Sequence, residues 1–233
     1  MTPSPEWLFQ FDLTPAEARQ LQARLPALVI RRDKFRKIET VAGADIALEE
    51  HTGYAAVIVY SFPALQELER VAAVGALRFP YVPGLLAFRE VPLLLEAFAR
   101  LKRKPDLILA DGHGWAHPRR AGMACHLGLA LDLPTIGCAK SLLVGSFSPP
   151  GESRGARAAL RDGRERIGTV LRTRDGVRPV FVSCGHRVSL STAVRLVMQC
   201  CDGYRIPKPQ READRWVRRL KRHGVNPAPA PGP

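Results

Sequence analysis

Acidic residues stand at positions of the sequence where they could act together on a phosphate group. Asp45 lies inside the apolar stretch VAGADIALEE, and Asp111 directly follows the apolar run LILA. A carboxylate in such a segment costs free energy unless it is paired or binds a metal ion. Carboxylate oxygens prefer hard cations, so the expected ion is Mg²⁺, with Mn²⁺ as a substitute, rather than Zn²⁺. Such an ion would lower the pKa of a bound water and neutralise a phosphate.

Two further residues extend this set. Glu90 precedes the apolar segment VPLLLEAFARLKRK, and Lys140 ends the segment PTIGCAK, where its ammonium could approach a phosphate or an attacking water. Each of these four residues could also have an ordinary structural role instead of a catalytic one. Asp45 could be an exposed strand or turn acid, and Asp111 a loop acid or helix cap. Glu90 could complement a helix dipole, and Lys140 could be a surface lysine.

The charge of the chain favours a phosphate-rich partner. Lys and Arg number 35 against 22 Asp and Glu, giving a net charge of +13. This imbalance favours nucleic acid, although a compositional bias towards Arg would produce it too. The basic segment RWVRRLKRH is either a phosphate-binding surface or a solubilising face. With 46% hydrophobic and 24% charged residues, the chain is typical of globular proteins, not of disordered, collagen-like or disulfide-rich classes.

Cysteine usage and the N-terminal sequence bear on the compartment. The five Cys include no C-x-x-C pair, which predicts buried free thiols and a reducing environment. The first residues, MTPSPEWLFQFDLTP, lack the basic and apolar regions of a signal peptide. No stretch of the sequence approaches the ~20 apolar residues of a membrane span. We therefore expect a cytoplasmic protein without a membrane partner.

The periodicity of the chain predicts an α/β fold. Short stretches at 40–47, 54–62 and 70–79 predict three antiparallel strands, because their connectors are too short for crossover helices. Residues 105–140 predict a strand–helix–strand unit with parallel strands. Three antiparallel strands followed by two parallel βα units are the order of the ribonuclease H-like mixed sheet flanked by helices. In that fold the first strand carries a central acid, and the fourth ends in another beside it.

The remaining elements follow from local signals. Thr14 and Glu17 form a capping box that predicts the start of a helix, with Pro15 at its first position. Residues 1–223 are expected to form a single catalytic domain, and 224–233 a disordered Pro-rich tail. We further predict helices over 91–104, 118–131, 189–201 and 209–223, a long loop over 143–165, and a hairpin over 167–185 that turns at Asp175-Gly176.

Several segments together resemble the endonuclease V family of repair nucleases. They are VAGADIA, FPYVPGLLAFRE, DGHGWAHPRRAG, PTIGCAKS, VSCGHRVSLSTAV and YRIPKPQREAD, which run in family order over about residues 41–214. The resemblance implies a Mg²⁺-dependent endonuclease that acts in DNA repair at deoxyinosine, or at inosine in RNA. It also implies hydrolysis of the second phosphodiester 3′ to the altered base, leaving 3′-hydroxyl and 5′-phosphate ends.

The resemblance also implies roles for individual residues. Asp45, Glu90, Asp111 and Asp214 match metal-site positions, and Asp45, Glu90, Asp111, Lys140 and His117 match catalytic ones. The segment Pro80-Tyr81-Val82-Pro83 matches a wedge that separates strands at the lesion, and its prolines favour a stiff, non-helical loop. Substrate-binding positions are further matched by Leu86, Gly112, Gly114, Gly122 and Met123. The glycines could instead be turn formers.

The chain departs from the family pattern at two positions. His113 stands where a small amide residue is expected, and Asp214 stands where many bacterial relatives have His. His113 could add a metal ligand or alter contacts with the base, and Asp214 could add a carboxylate to the metal site.

Two other functions stay open: a catalytically silent nucleic-acid binder of this fold, and a structure-selective ribonuclease H-like nuclease. The partner is DNA, with RNA as a further possibility, and a monomer is expected.

Overall fold

The structure, a computed structural model, describes residues 5–223, so the predicted tail lies outside the described residues. Two short 3₁₀ helices, Glu6–Phe9 and Leu25–Leu28, flank the first α-helix. The strands are β1 Thr40–Glu49, β2 Thr52–Ser61, β3 Glu67–Ala76, β4 Leu107–Ala110, β5 Thr135–Ala139, β6 Arg157–Asp162, β7 Glu165–Leu171 and β8 Val180–His186. The α-helices are α1 Pro15–Arg24, α2 Leu86–Ala99, α3 Met123–Leu131, α4 Leu190–Gln199 and α5 Lys208–His223.

The eight strands form one mixed sheet in the order β3-β2-β1-β4-β5-β8-β7-β6. Strands β1, β2 and β3 pair antiparallel, whereas β4 pairs parallel to both β1 and β5. This is the predicted ribonuclease H-like order, and it is confirmed. The predicted hairpin is confirmed as well, because β7 and β8 pair antiparallel.

Alternation along β1 divides the core into two layers. Val41 packs in a cluster with residues of α4 and with Trp216 of α5. Ala42 and Ala44 pack instead in a cluster with α2 and with Leu127 of α3. Because successive side chains of a strand point to opposite faces, odd-numbered β1 residues face α4 and α5, and even-numbered ones face α2 and α3. Asp45 therefore belongs to the α5 face.

Helix α1 forms as predicted. The Thr14 hydroxyl accepts a hydrogen bond from Glu17 N at 3.4 Å, and the Glu17 carboxylate accepts one from Thr14 N at 2.8 Å.

The five cysteines are free, and four of them are buried. Within residues 5–223 no helix has both the length and the apolar character needed to cross a bilayer.

Some predicted boundaries are wrong for identifiable reasons. Helix α2 begins at Leu86 rather than at 91, and Pro92 lies inside it instead of at its start. Helix α3 begins at Met123 rather than at 118, because the chain turns first, with Arg120 in the left-handed region at φ 53°. The predicted loop 143–165 contains β6, which lies at the edge of the sheet and has one buried residue, so its sequence RAALRD lacks the pattern of a buried strand.

Candidate active site

Three carboxylates meet on the α5 face of the sheet. Ala44 of β1 pairs in parallel register with Ala110 of β4, so Asp45 and Asp111 each follow a paired position. Asp214 arrives from α5. One oxygen from each of the three half-buried residues can be chosen such that all lie within 4.8 Å of one another. This grouping unites three of the four predicted metal-site residues.

Helix α5 reaches this position because β1 lets it approach closely. A Cβ atom on Gly43 would lie 2.0 Å from the carbonyl oxygen of Pro209, so only glycine fits there. The buried Gln210 amide donates hydrogen bonds to Ala110 O at 2.8 Å and to Cys138 O at 3.1 Å. These contacts fix the start of α5 against β4 and β5 and place Asp214 one turn further along.

Glu90 is not among the described residues whose ligand oxygens lie within 4.8 Å of one another. It lies on α2, which packs on the opposite face of the sheet from α5, and only 6% of it is exposed. Glu90 is nevertheless near enough for the charges of Asp45 and Asp111 to influence its ionisation.

The electrostatics of the site favour a bound cation. Burial, and then the Asp111 carboxylate, raises the pKa of Asp45 to about 7. Burial, and then the charges of Asp45 and Asp111, raises the pKa of Glu90 to about 8. Both shifts express the cost of crowding negative charge into a partly dry site, a cost that a divalent cation would offset. The oxygen donors are also those that Mg²⁺ prefers.

Lys140 supplies a positive charge within the cluster. Its ammonium donates a hydrogen bond to Asp111 Oδ2 and lies 3.6 Å from Asp214 Oδ1. Burial acts to lower the pKa of Lys140, but the charge of Asp111 and the hydrogen bond to it prevail, so the pKa is raised. Lys140 therefore stays charged and fixes the orientation of two carboxylates.

A cavity of about 250 Å³ opens next to the cluster. Ligand pockets for larger molecules usually span roughly 300–1,000 Å³, so this one suits a single flat ring system. It begins at Gly112, the residue after Asp111. Seven of the predicted substrate-binding residues line it: Tyr81, Val82, Pro83, Leu86, Gly112, Gly122 and Met123.

Two predicted substrate-binding residues do not line this cavity. Pro80 precedes the lining part of its loop. Gly114 packs against β8, where a Cβ atom would lie 2.1 Å from Cys184 O, and its N–H donates to Ser183 Oγ at 2.9 Å. Gly114 thus supports the wall of the cavity through its close backbone packing.

The loop at 80–84 presents an aromatic side chain to solvent from a braced backbone. Tyr81 is 71% exposed, the largest value among the exposed large hydrophobic residues of the described chain. The carbonyl oxygen of Gly84 accepts hydrogen bonds from Gln22 Nε2 at 3.0 Å, Arg119 Nη2 at 2.8 Å and His117 Nε2 at 3.2 Å. Three donors on one carbonyl hold the loop, and Tyr81 with it, in a defined position.

His117 serves this brace through both ring nitrogens. Nδ1 accepts a hydrogen bond from Arg119 N at 3.1 Å, so the proton of the neutral ring is on Nε2, which donates to Gly84 O. Burial, and then the positive charge of Arg119, lowers the pKa of His117 to about 4. The predicted catalytic histidine is therefore a neutral residue under the cavity, bonded to the wedge loop.

Sequence reasoning missed several residues of the cavity. Leu142 and Leu143 line it and are exposed, and an apolar pair separated from Lys140 only by Ser141 was a usable signal. Gln22 carried no signal, because its role depends on a contact with a segment 62 residues away. His113, noted as a departure, lines the cavity, and its Nε2 bonds to Ser141 O at 3.1 Å.

Comparison with known proteins decides the family. The family model for endonuclease V matches residues 23–215, which include the three carboxylates, Lys140 and the wedge loop. The chain belongs to the endonuclease V family. The endonuclease V of Roseiflexus castenholzii is 52% identical over 214 residues, covering 92% of this chain and 96% of the relative. The family resemblance expected from the sequence is confirmed, and the chain is a DNA repair endonuclease.

Solved structures of endonuclease V agree with the fold. The Streptomyces avermitilis enzyme superposes with a TM-score of 0.87 at 42% identity, covering 93% of this chain and 97% of that one. The Ciona intestinalis enzyme, in complex with a DNA containing an inosine followed by a ribo-adenosine, gives a TM-score of 0.78 at 28% identity. That superposition covers 89% of this chain and 97% of the other.

Proposed function

We propose that this endonuclease V requires Mg²⁺ and recognises a deaminated purine, hypoxanthine, in DNA. We propose further that it hydrolyses the second phosphodiester 3′ to that base and leaves 3′-hydroxyl and 5′-phosphate ends. The observation that carries the proposal is the cluster of Asp45, Asp111 and Asp214 beside a base-sized cavity that Tyr81 helps to line. The Ciona intestinalis relative in complex with inosine-containing DNA supports the choice of base.

The metal-binding part of the proposal follows from the donor set. Asp45, Asp111 and Asp214 would hold the ion. Glu90, whose ionisation the charges of Asp45 and Asp111 influence, would be the fourth residue of the metal site. When bound, Mg²⁺ supplies charge neutralisation at the phosphate and a lowered pKa of an attacking water. The raised pKa of Asp45 supports this assignment, because it marks a carboxylate that is largely buried and also lies beside the negative charge of Asp111.

The chain's own residues would orient the substrate. Lys140 holds Asp111 and Asp214 through its ammonium and offers a positive charge to the phosphate that enters the cluster. The cavity would receive the extruded base, with Leu86 and Met123 as apolar walls. Tyr81 would fill the gap that the base leaves in the stack, as apolar and aromatic wedges do in other proteins that distort DNA. His117 would keep the wedge in place.

The remaining features complete the proposal. Residues 1–223 would act as one catalytic domain, and as a monomer in the cytoplasm. Mn²⁺ would substitute for Mg²⁺, because both accept carboxylate oxygens. Inosine in RNA would be a second substrate.

The test is strand cleavage of a duplex with a single inosine, mapped at nucleotide resolution, with and without Mg²⁺. We expect a metal-dependent cut at the second phosphodiester 3′ to inosine and none in the matching duplex with adenine. An RNA strand with inosine and an unmodified four-way junction run beside it. Cutting of the junction at a similar rate would favour the structure-selective nuclease and contradict the proposal.

Variants separate catalysis from binding. Asp45→Ala and Asp111→Ala should abolish cutting while the inosine duplex still binds. Glu152→Ala removes an exposed carboxylate outside the cluster and should cut like the unmodified chain. If the unmodified chain binds inosine selectively but never cuts with Mg²⁺ or Mn²⁺, the silent-binder alternative is correct. If both Asp variants still cut, the metal-site assignment is wrong.

A further inference from the structure

The exposed face of α5 beyond Asp214 carries a stripe of arginines. Arg215, Arg218, Arg219 and Arg222 are exposed, and their spacing of i, i+3, i+4 and i+7 places them on one side of the helix. The opposite side is apolar, because Val217 and Leu220 pack on Ala56 of β2. The stripe is thus held at a fixed height above the sheet.

Two of these arginines have no partner among the residues that the structure describes. Arg218 bonds to Asp214 Oδ1 at 3.0 Å, and Arg215 bonds to Glu212 Oε1 at 3.0 Å. Within residues 5–223, Arg219 and Arg222 have neither an ion pair nor a side-chain hydrogen bond. Two neighbouring exposed cations without a described counter-ion form a positive patch that can bind an anion from outside the chain.

The position of the arginine stripe relative to the site indicates which part of a bound strand would lie over it. The cavity lies on the side of α2 and α3, and it adjoins the carboxylates at Gly112. Asp214 closes the cluster from the α5 side, and Arg215 follows it directly. A strand whose base enters the cavity and whose phosphate reaches the carboxylates therefore continues over α5. Since the proposed cut lies 3′ to the base, the continuing segment is the one 3′ to the cut.

We propose that the arginine stripe of α5 binds the phosphates of the cleaved strand on the 3′ side of the cut. The proposal rests on the function proposed above. From Arg215 to Arg222 the helix rises about 10 Å at ~1.5 Å per residue. That length matches about three nucleotide steps of ~3.4 Å along one strand. The stripe holds the strand by its charge and length without reading bases, so it serves any sequence downstream of the lesion.

The test uses the double variant Arg219→Ala/Arg222→Ala, which leaves the cluster and its neighbour Arg218 intact. The matched control is Arg103→Ala/Lys104→Ala, which removes two exposed charges at the opposite end of β4 from Asp111. Binding to fluorescent inosine duplexes is measured in EDTA over a range of salt. One duplex extends about 12 base pairs beyond the expected cut on its 3′ side, roughly one helical turn. The other duplex ends there after one nucleotide.

We expect the α5 variant to bind the long duplex about tenfold more weakly at low salt. Its salt slope should be lower by about 1.8, or ~0.9 for each phosphate that the two arginines no longer neutralise. On the duplex truncated 3′ of the cut, it should bind as tightly as the unmodified chain. The control variant should match the unmodified chain on both. Unchanged affinity and slope on the long duplex, or an equal loss on both duplexes, would overturn the proposal.

The experiment also keeps the two proposals apart. Cleavage is measured separately, with the unmodified chain, the long duplex and Mg²⁺, whereas binding is measured in EDTA and needs no cutting. If the unmodified chain does not cut inosine duplexes at all, the proposed function fails. The difference between the long and truncated duplexes still shows whether α5 binds the 3′ segment.

Discussion

The buried His126 gives the most specific prediction about stability. The residue is fully buried on α3, with ring centroids 5.4 Å from Phe11 and 5.1 Å from Phe88. Its Nε2 bonds to Leu8 O at 3.2 Å. Burial lowers its pKa to about 4, from an ordinary value of 6.5. The folded protein therefore keeps a neutral ring at pH values where the unfolded chain binds a proton.

The sign and size of the effect follow from that difference in pKa. The stability that His126 provides is fully present above pH 6.5 and is lost as the pH falls from 6.5 towards 4. At pH 5 the loss is about 2 kcal/mol, since each pKa unit is worth ~1.36 kcal/mol. The variant His126→Phe avoids this loss but leaves Leu8 O without its donor, which costs about 1 kcal/mol.

The stability curves of the two proteins should therefore cross. His126→Phe should be less stable by about 1 kcal/mol at pH 8 and more stable by about 1 kcal/mol at pH 5. Urea unfolding followed by tryptophan fluorescence measures both. His51→Gln, at an exposed histidine, is the control and should parallel the unmodified chain. A His126→Phe curve offset by the same amount at every pH would refute the reasoning.

Three more predictions concern the site. Tyr81→Ala should weaken binding to an inosine duplex by about 1–3 kcal/mol, the size of one base–aromatic stacking interaction, whereas Tyr81→Phe should not; equal anisotropy titrations would contradict the wedge. Gln22→Leu should cost about 1–3 kcal/mol of stability in urea and also lower inosine affinity; a stability loss without an affinity loss would separate the brace from the wedge. Gly43→Ala should weaken Mg²⁺ binding in calorimetry by displacing α5, and Gly151→Ala, where a Cβ has room, should not; equal Mg²⁺ affinity in both variants would show that Gly43 does not set Asp214.

Local sequence patterns were enough to predict the central sheet and to place two of the acidic residues, Asp45 and Asp111, on it. β-branched strands with short connectors fixed the antiparallel order, and the strand–helix–strand unit fixed the parallel neighbour. Together they placed Asp45 and Asp111 side by side, because both residues follow directly from strand register. The family resemblance was needed to assign Asp214 to the metal site. Its position beside Asp45 and Asp111 depends on the close packing of α5 against Gly43, which local patterns do not show.

The features that local patterns do not show depend on long-range packing. Glu90 lies on α2, which packs with Ala42 and Ala44 of β1, so its place relative to the other acids depends on contacts between distant segments. Gln22 and His117 both donate hydrogen bonds to Gly84 O from distant segments. The sequence around each residue therefore does not indicate that it holds the wedge loop. Strand β6 lies at the edge of the sheet and buries only Leu160, so the pattern of a buried strand is absent.

The alternation along β1 makes the enzyme sensitive to chain length as well as to residue type. Inserting a single residue between Val41 and Asp45 would turn the aspartate towards α2 and leave Ala44 facing α5 in its place. Removing one residue would turn the aspartate the same way and leave Ile46 there. Such a change keeps every functional group in the sequence and still disassembles the cluster. The exposed segment 151–155 before β6 has no such constraint, because it lies beyond the cavity-lining Leu142 and Leu143 and carries no residue of the site. Natural variation in length should therefore concentrate in that segment and be absent from the first half of β1.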